Sequence, residues 1–292
     1  MSEVTEVVQE KALLGEGPCW DEINQYLLWT DILAKKIHIY HPETNKNRSF
    51  EIGQYVGAIS VCSNGDLLLA TEKGFQFFQI NTRKLTPIHD PEKNISTNRF
   101  NDGKCDPRGR FWAGTMGMNP IQPTGSLYRL DNDFTVNKMI DNVTISNGIA
   151  WDESREKMYF IDTPTKKITS FDFDINTGDI SGKKDIINFP SKFGDPDGMT
   201  IDKEGMLWIA GWGAGKVTRW NPKDGSLLAE INVPAKYVTS CTFGGKNLDI
   251  LYITTARIGM SEEELNNQPL AGSIFSIKTN TKGLPSHKFK IK

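Results

Sequence analysis

Four side chains with oxygen donors lie far apart in the chain, each beside small or turn-forming residues. They are Glu16, Asn101, Asn147 and Asp197. Carboxylate and amide oxygens are hard ligands, the kind that Ca²⁺, Mg²⁺ and Mn²⁺ prefer. Two carboxylates ~5 Å apart repel by about 3 kcal/mol at an effective dielectric constant of ~20, and a divalent cation turns that repulsion into attraction. Brought together, the four would form a metal centre whose oxygen donors disfavour zinc without excluding it.

A simpler interpretation is that these residues only form turns. Asn147-Gly148 and Asp197-Gly198 are dipeptides typical of tight turns, and Asn101-Asp102-Gly103 is similar to them. Taken singly, each favours the turn interpretation. Their shared position in a sequence repeat favours the metal centre.

A pattern recurs six times along the chain: a small residue, an apolar stretch, a turn that often begins with Asp, and a second apolar stretch. The anchor residues that end the first stretch are Asp21, Cys62, Asp106, Asp152, Asp202 and Gly244, with gaps of 41, 44, 46, 50 and 42 residues. A period of roughly 40–50 residues with about four strands per unit is typical of propeller blades. We therefore predict an all-β fold, one six-bladed β-propeller domain over residues 1–292, with four-stranded antiparallel blades around a central channel. The segment up to Leu13 should supply a strand that completes the last blade.

The repeat also places one residue of each unit five positions before its anchor. These residues are Glu16, Gly57, Asn101, Asn147, Asp197 and Thr239. Because innermost strands line a propeller's channel, the four polar members should form a ring of oxygens about its axis. Arg99, seven positions before its anchor, should lie at the channel mouth, where it would donate to a substrate oxygen or form a surface salt bridge. Asp102 stands where the other units have small residues, which indicates a supporting role behind the ligands or an alternative base.

Composition excludes several classes of function. The chain has 292 residues, and 34 Lys and Arg against 36 Asp and Glu give a formal net charge of −2. This balance provides neither a basic surface for nucleic acid nor a polybasic membrane anchor. Because no membrane-length apolar segment or signal peptide is visible, we expect a cytoplasmic protein. We also expect it to be a monomer or a weak dimer. The four cysteines form no CxxC pair and the four histidines do not cluster, which argues against a disulfide framework or a structural zinc site.

Seven motifs together resemble those of a known family. They are Gly15-Glu16-Gly17-Pro18, Arg99-Phe100-Asn101-Asp102-Gly103-Lys104, Ala113-Gly114-Thr115-Met116, Ser146-Asn147-Gly148, Pro196-Asp197-Gly198-Met199, Ser240-Cys241-Thr242-Phe243-Gly244-Gly245 and Thr255-Ala256-Arg257. In this combination the sequence resembles the senescence marker protein 30, regucalcin and gluconolactonase family across all six repeats. The resemblance implies a six-bladed propeller with one divalent cation in its channel, which hydrolyses aldonolactones such as gluconolactone.

The resemblance also implies roles for individual residues. Glu16, Asn147 and Asp197 match the family's metal ligands, with Ca²⁺ as the first choice and Zn²⁺, Mn²⁺ or Mg²⁺ as alternatives. Asp197 also matches the proposed general base, and Arg99 and Asn101 match positions that contact substrate.

The loop after Gly114-Thr115-Met116 departs from the family pattern. Animal regucalcins have acidic residues there, whereas this chain has Gly117-Met118-Asn119-Pro120. Asn119 is therefore the candidate for a contact with a sugar hydroxyl. Residues 116–123 are as compatible with a substrate lid as with an ordinary surface loop.

The expected reaction is attack of water on the lactone carbonyl, which the cation polarises as a Lewis acid while Asp197 moves the proton. A covalent serine route is not expected, because the chain lacks a Gly-x-Ser-x-Gly motif. One alternative is an organophosphate-type phosphotriesterase that uses the same metal site. Another is a non-enzymatic Ca²⁺-binding regulatory protein, although no EF-hand loop is present. An interaction scaffold would instead predict small or apolar residues in the channel.

Overall fold

The chain folds almost entirely into β-strands. The structure is a computed structural model that describes residues 3–291. Within these residues it has 24 strands, one α-helix (α1, Glu262–Asn267) and short 3₁₀ turns at Glu153–Arg155, Thr163–Thr165 and Ser191–Phe193. None of the helical segments in this range is both long and apolar enough to cross a membrane.

Four antiparallel sheets of four strands follow one another along the chain, each with its strands in sequence order. The first contains β2 (Gly15–Asp21), β3 (Tyr26–Asp31), β4 (Lys36–His41) and β5 (Lys46–Glu51), and the second β6 (Val56–Val61), β7 (Leu67–Thr71), β8 (Gly74–Gln79) and β9 (Lys84–His89). The third contains β10 (Asn98–Cys105), β11 (Phe111–Gly117), β12 (Gly125–Leu130) and β13 (Val136–Val143), and the fourth β14 (Ser146–Asp152), β15 (Lys157–Asp162), β16 (Lys167–Phe173) and β17 (Ile180–Asn188).

The remaining strands form one eight-stranded sheet. It contains β18 (Asp195–Ile201), β19 (Leu207–Trp212), β20 (Lys216–Trp220), β21 (Leu227–Asn232), β22 (Tyr237–Gly244), β23 (Ile250–Ala256), β24 (Ile274–Lys278) and β1 (Thr5–Val8). β1 pairs with β24, which confirms that the N-terminal segment completes the last unit. The all-β prediction is also confirmed, and the four-stranded antiparallel sheets are consistent with a propeller.

The first strand of each sequence repeat lies on the inside of the molecule. These six strands are β2, β6, β10, β14, β18 and β22. Each packs beside the first strand of the next repeat, and β22 packs beside β2, so that they form a closed ring. The ring is tight, because a Cβ added at Gly57 would lie 2.5 Å from the Phe100 carbonyl oxygen and one at Gly198 would lie 2.0 Å from Ser240 Oγ. Small residues are therefore required where the strands converge.

Large apolar side chains fill the space between neighbouring sheets. Trp112 and Trp151 pack edge to face with ring centroids 5.8 Å apart, and Trp20, Trp29 and Trp208 are also buried. Burial of a large apolar side chain contributes roughly 1.5–3 kcal/mol. This packing holds the inner strands, and therefore the side chains at their beginnings, in fixed positions.

Candidate active site

Every first strand is irregular at the position that the repeat singled out. The register with the second strand shifts between Glu16 and Cys19, Val56 and Ala58, Phe100 and Asp102, Ser146 and Ile149, Pro196 and Met199, and Val238 and Ser240. A β-bulge re-aims a side chain out of the regular alternation of a strand. The bulges therefore explain how polar residues near the beginning of these strands come to face one another across the ring.

The structure brings the predicted oxygen donors together. Glu16, Asn101, Asn147 and Asp197 are all buried, with 3–6% of their surface exposed. Asn101 Nδ2 donates to Asn147 Oδ1 at 3.3 Å, and Asp197 lies close enough to Glu16 and to the Asn147 side chain for both to change its pKa. We call Glu16, Asp102, Asn147 and Asp197 the channel cluster. It draws on four different strands of the ring.

A hydrogen-bond chain fixes the amide of Asn147. Its Nδ2 donates to Thr163 Oγ1 at 2.7 Å, and Thr163 Oγ1 in turn donates to the Pro196 carbonyl at 2.8 Å. Because the amide nitrogen is held by Thr163, the amide oxygen lies on the opposite side, where Asn101 donates to it. Sequence analysis missed Thr163, which lies in a 3₁₀ turn outside the repeat position.

The carboxylates of the channel cluster destabilise one another's charge. Burial, and secondly the charge of Asp102, raise the pKa of Glu16 from 4.5 to about 8. Burial raises the pKa of Asp197 well above its ordinary value, and Glu16 and Asp102 raise it further. Burial also raises the pKa of Asp102. Three buried carboxyl groups so close together are electrostatically frustrated in the absence of a cation.

This donor set fits a hard divalent cation. Two carboxylates and an amide whose orientation is fixed supply oxygen ligands and negative charge. No group of three His, Cys, Asp or Glu side chains suited to a metal ion occurs within residues 3–291. The candidate set instead takes an asparagine as its third member. The burial of both Glu16 and Asp197 beside Asn147, with the pKa of each carboxyl group raised, is the observation that favours a cation there.

Arg99 lies deeper than the sequence predicted. It was expected at the channel mouth, but only 8% of its surface is exposed. Its guanidinium donates to Asn101 Oδ1 at 2.8 Å and to the Phe100 carbonyl at 3.0 Å. Burial lowers the pKa of Arg99 to about 10, and the charges of Glu16 and Asp197 oppose that shift. The side chain therefore remains a cation at neutral pH beside the channel cluster, and the surface salt-bridge alternative is wrong.

Asn119 is not part of the buried cluster. It is exposed in the loop between β11 and β12. The Met118 N–H donates to the Thr97 carbonyl at 2.7 Å, and Thr124 Oγ1 donates to Asn98 Oδ1 at 3.1 Å. The loop that contains Asn119 is therefore fastened at both ends to the segment that leads into Arg99.

Glu92 supports this loop region, and no sequence pattern singled it out. Its buried carboxylate accepts hydrogen bonds from Thr115 Oγ1 at 2.8 Å, Tyr128 OH at 3.0 Å and Asn98 Nδ2 at 3.0 Å. Glu92 lies between β9 and β10, outside the repeat register, so its partners could be found only from the folded structure.

The C-terminal segment lies across the other end of the ring. The Gly283 N–H donates to the Leu248 carbonyl at 2.8 Å, the Ser286 N–H to Glu22 Oε1 at 3.1 Å and the Phe289 N–H to the Val61 carbonyl at 2.9 Å. Residues 284–287 line a cavity of about 60 Å³ that lies further along the first strands than the channel cluster. A substrate would therefore reach the cluster from the opposite end.

These features define a class: an all-β, propeller-like protein with a buried acid–amide centre at the axis of its inner strands. Comparison with known proteins gives the family. Residues 14–257 match the model of the SMP-30/Gluconolactonase/LRE-like region. The chain belongs to this family.

Individual relatives agree with this placement. A Bacillus subtilis protein provisionally named sugar lactone lactonase YvrE is 44% identical over 94% of each chain. Regucalcin of Danio rerio is 37% identical over 97% of each chain. The crystal structure of regucalcin, a calcium-binding protein of Agrobacterium tumefaciens, is 28% identical, with a TM-score of 0.94 over 99% of this chain and 97% of that one.

Proposed function

We propose that this protein is a divalent-metal-dependent hydrolase that opens sugar lactones such as gluconolactone. Membership of the family suggests lactone hydrolysis. The observation that supports the metal-dependent form most directly is the pair of buried carboxyl groups, Glu16 and Asp197. Burial raises the pKa of both, and the charge of Glu16 raises the pKa of Asp197 further. Buried carboxyl groups are costly to ionise, and a bound divalent cation would offset that cost.

Glu16, Asn147 and Asp197 would hold the cation. When bound there, a divalent cation would keep the carboxylates ionised and polarise the lactone carbonyl as a Lewis acid. Ca²⁺ is our first choice because all the donors are oxygens, and the Agrobacterium relative is described as calcium-binding. Zn²⁺, Mn²⁺ and Mg²⁺ remain the alternatives to be tested.

The chain's own residues would bind the lactone and move the proton. Asp197 takes a proton from water as the water oxygen forms a bond to the carbonyl carbon. When the bond from that carbon to the ring oxygen breaks, the same proton passes to the ring oxygen, which becomes a hydroxyl group. Arg99 and Asn101, which are hydrogen-bonded to each other, would orient the substrate, and Asn119 would contact a sugar hydroxyl from the loop.

We also propose that the eight-stranded sheet is two blades, which makes a six-bladed propeller of one domain. In the strand pairing, the two halves are joined by one residue pair, Trp212 and Tyr237, on β19 and β22. Each half also contributes its own first strand, β18 or β22, to the closed ring.

The test is hydrolysis of glucono-, galactono- and xylonolactone in a pH-stat, with metal-free protein and then with Ca²⁺, Mn²⁺, Mg²⁺ or Zn²⁺ added. We expect cation-dependent hydrolysis above the spontaneous rate, which Glu16→Gln abolishes. Asp174→Asn, which changes an exposed carboxylate between β16 and β17, is the matched control. Turnover of an organophosphate without turnover of any lactone would replace the proposal with the phosphotriesterase alternative. Lactone turnover that no cation changes would contradict the metal-dependent mechanism.

A further inference from the structure

A partly buried lysine lies next to the channel cluster and has no role in the proposed reaction. Further along the first strands, residues of all six strands and residues 284–287 line the cavity of about 60 Å³. The lining includes the residue two positions before the anchor of each repeat: Cys19, Ser60, Lys104, Ala150, Thr200 and Thr242. Five of these six are small and formally neutral, and Lys104 is the long, charged one.

One hydrogen bond fixes where the ammonium group lies. Lys104 Nζ donates to the Met199 carbonyl oxygen at 2.8 Å, which joins β10 to β18. β14 lies between these two strands in the ring, so the side chain must cross the interior. An ammonium group has three donors and is costly to bury without negative charge nearby. A negatively charged group of the channel must therefore offset the charge of this ammonium group.

Asp102 supplies that negative charge. It precedes Lys104 by two residues on β10, so the two side chains leave the strand on the same face. Among the charges that act on Asp102, Lys104 is the one that favours its ionised form. Arg99 in contrast acts on Glu16 and Asp197. Two cations thus divide the three carboxylates between them.

We propose that Lys104 is a built-in counter-ion that sets the cation affinity of the channel by balancing Asp102. Its charge offsets that of Asp102, which leaves Glu16 and Asp197 as the two negative ligands of the proposed site. Lys104 does not touch the substrate or the cation in this role. It is a positioning residue, and the inference rests on the metal-binding part of the proposed function.

The test is calorimetric titration of Ca²⁺ into metal-free protein, at the same pH for the wild type and every variant. Lys104→Met removes the positive charge, and we expect Ca²⁺ to bind at least fivefold more tightly. Asp102→Asn removes the negative charge that offsets Lys104, and we expect Ca²⁺ to bind at least fivefold more weakly. The double variant should return to within about twofold of the wild-type affinity, because it removes both charges.

The two single variants are expected to change Ca²⁺ affinity in opposite directions, which distinguishes an electrostatic role of Lys104 from a merely structural one. If Lys104 only supported the fold, both single variants would weaken Ca²⁺ binding together with thermal stability, and that result would overturn the inference. Lys104→Gln keeps a donor for Met199 and should also tighten binding, which covers the case that the methionine variant does not fold. Lys138→Met, an exposed charge on β13 of the same sheet, should change nothing. Failure of the wild-type protein to bind Ca²⁺ would instead contradict the choice of metal in the proposed function.

Discussion

Two sets of buried carboxylates lie on the same inner strands and have opposite surroundings. At the ends of β10 and β18, Asp106 and Asp202 have many donors. Asp106 accepts from the Arg110 side chain at 2.5 Å, from Trp112 Nε1 at 3.0 Å and from two backbone N–H groups of the following turn. Asp202 repeats this arrangement with Trp208 and Arg219. Each of these carboxylates is surrounded by donors that favour its charge.

The carboxylates of the channel cluster have far poorer surroundings. Glu16 and Asp102 accept the N–H of the glycine that follows each of them, at 3.0 and 2.6 Å, and their charges repel. Both sets therefore consist of buried carboxylates, and their hydrogen-bond partners differ. A buried carboxylate with a full set of donors stabilises the fold, whereas a group of carboxylates without one favours binding of a cation. The following experiments test this distinction.

The largest expected effect is on catalysis. Asp197→Asn removes the proposed base and one cation ligand, and we expect lactone hydrolysis to fall by about 10³-fold. Thermal stability of the metal-free protein should not decrease, because the substitution removes one member of a repelling group. Both quantities can be measured on the same preparation. Loss of stability with retained turnover would reverse the roles that we assign to the two sets of carboxylates.

The matched experiment on the other set is Asp106→Ala. It leaves the buried guanidinium of Arg110 without its carboxylate, and breaking a buried ion pair in this way typically costs about 3 kcal/mol of unfolding free energy. Urea unfolding would measure that loss. Turnover per folded molecule should stay within about threefold of wild type, and a selective loss of turnover at unchanged stability would contradict the comparison.

The pH dependence of stability is a third difference between the sets. Because the pKa of Glu16 is raised from 4.5 to about 8, the folded metal-free protein keeps a proton that the unfolded chain releases between these values. The unfolding free energy should therefore fall as pH rises through this window, by at most about 1.4 kcal/mol per pH unit for one proton. Urea unfolding at a series of pH values measures the slope.

Glu16→Gln is the control for that slope. The glutamine cannot titrate, so the fall in stability between pH 4.5 and about 8 should become shallower. Saturating Ca²⁺ should have a similar effect on the wild-type protein. An unchanged slope in the variant would show that other groups dominate the titration.

The repeat register could be predicted from sequence because it is set by local patterns. Asp106 and Asp202 begin turns, and the apolar stretches around them define strands. The constant distance in sequence from such anchor residues therefore predicts that Glu16, Asn147 and Asp197 lie at equivalent positions on their strands. The β-bulges do not disturb this shared register, because each of the six inner strands has a bulge at a similar position.

Other features depend on contacts between distant residues, and the sequence has no local signal for them. The depth of Arg99 follows from how closely the inner strands converge, and the bond from Lys104 to Met199 joins residues 95 positions apart. Thr163 and Glu92 lie in connections whose length varies between repeats. Sequence spacing therefore identified the proposed ligands, whereas the groups that contact them could be found only from the fold.

The smallest expected effect is at the loop. Asn119 is exposed and lies outside the channel cluster, so its side chain can offer a sugar hydroxyl one solvent-accessible hydrogen bond. Such a bond is worth about 0.5–1 kcal/mol, and Asn119→Ala should raise KM by roughly two- to fivefold with kcat nearly unchanged. The effect should shrink for lactones with fewer hydroxyl groups. A loss of kcat as large as that expected for Asp197→Asn would mean that the loop takes part in the chemistry. The contrast between buried carboxylates with many hydrogen-bond donors and those with few would then no longer account for the site.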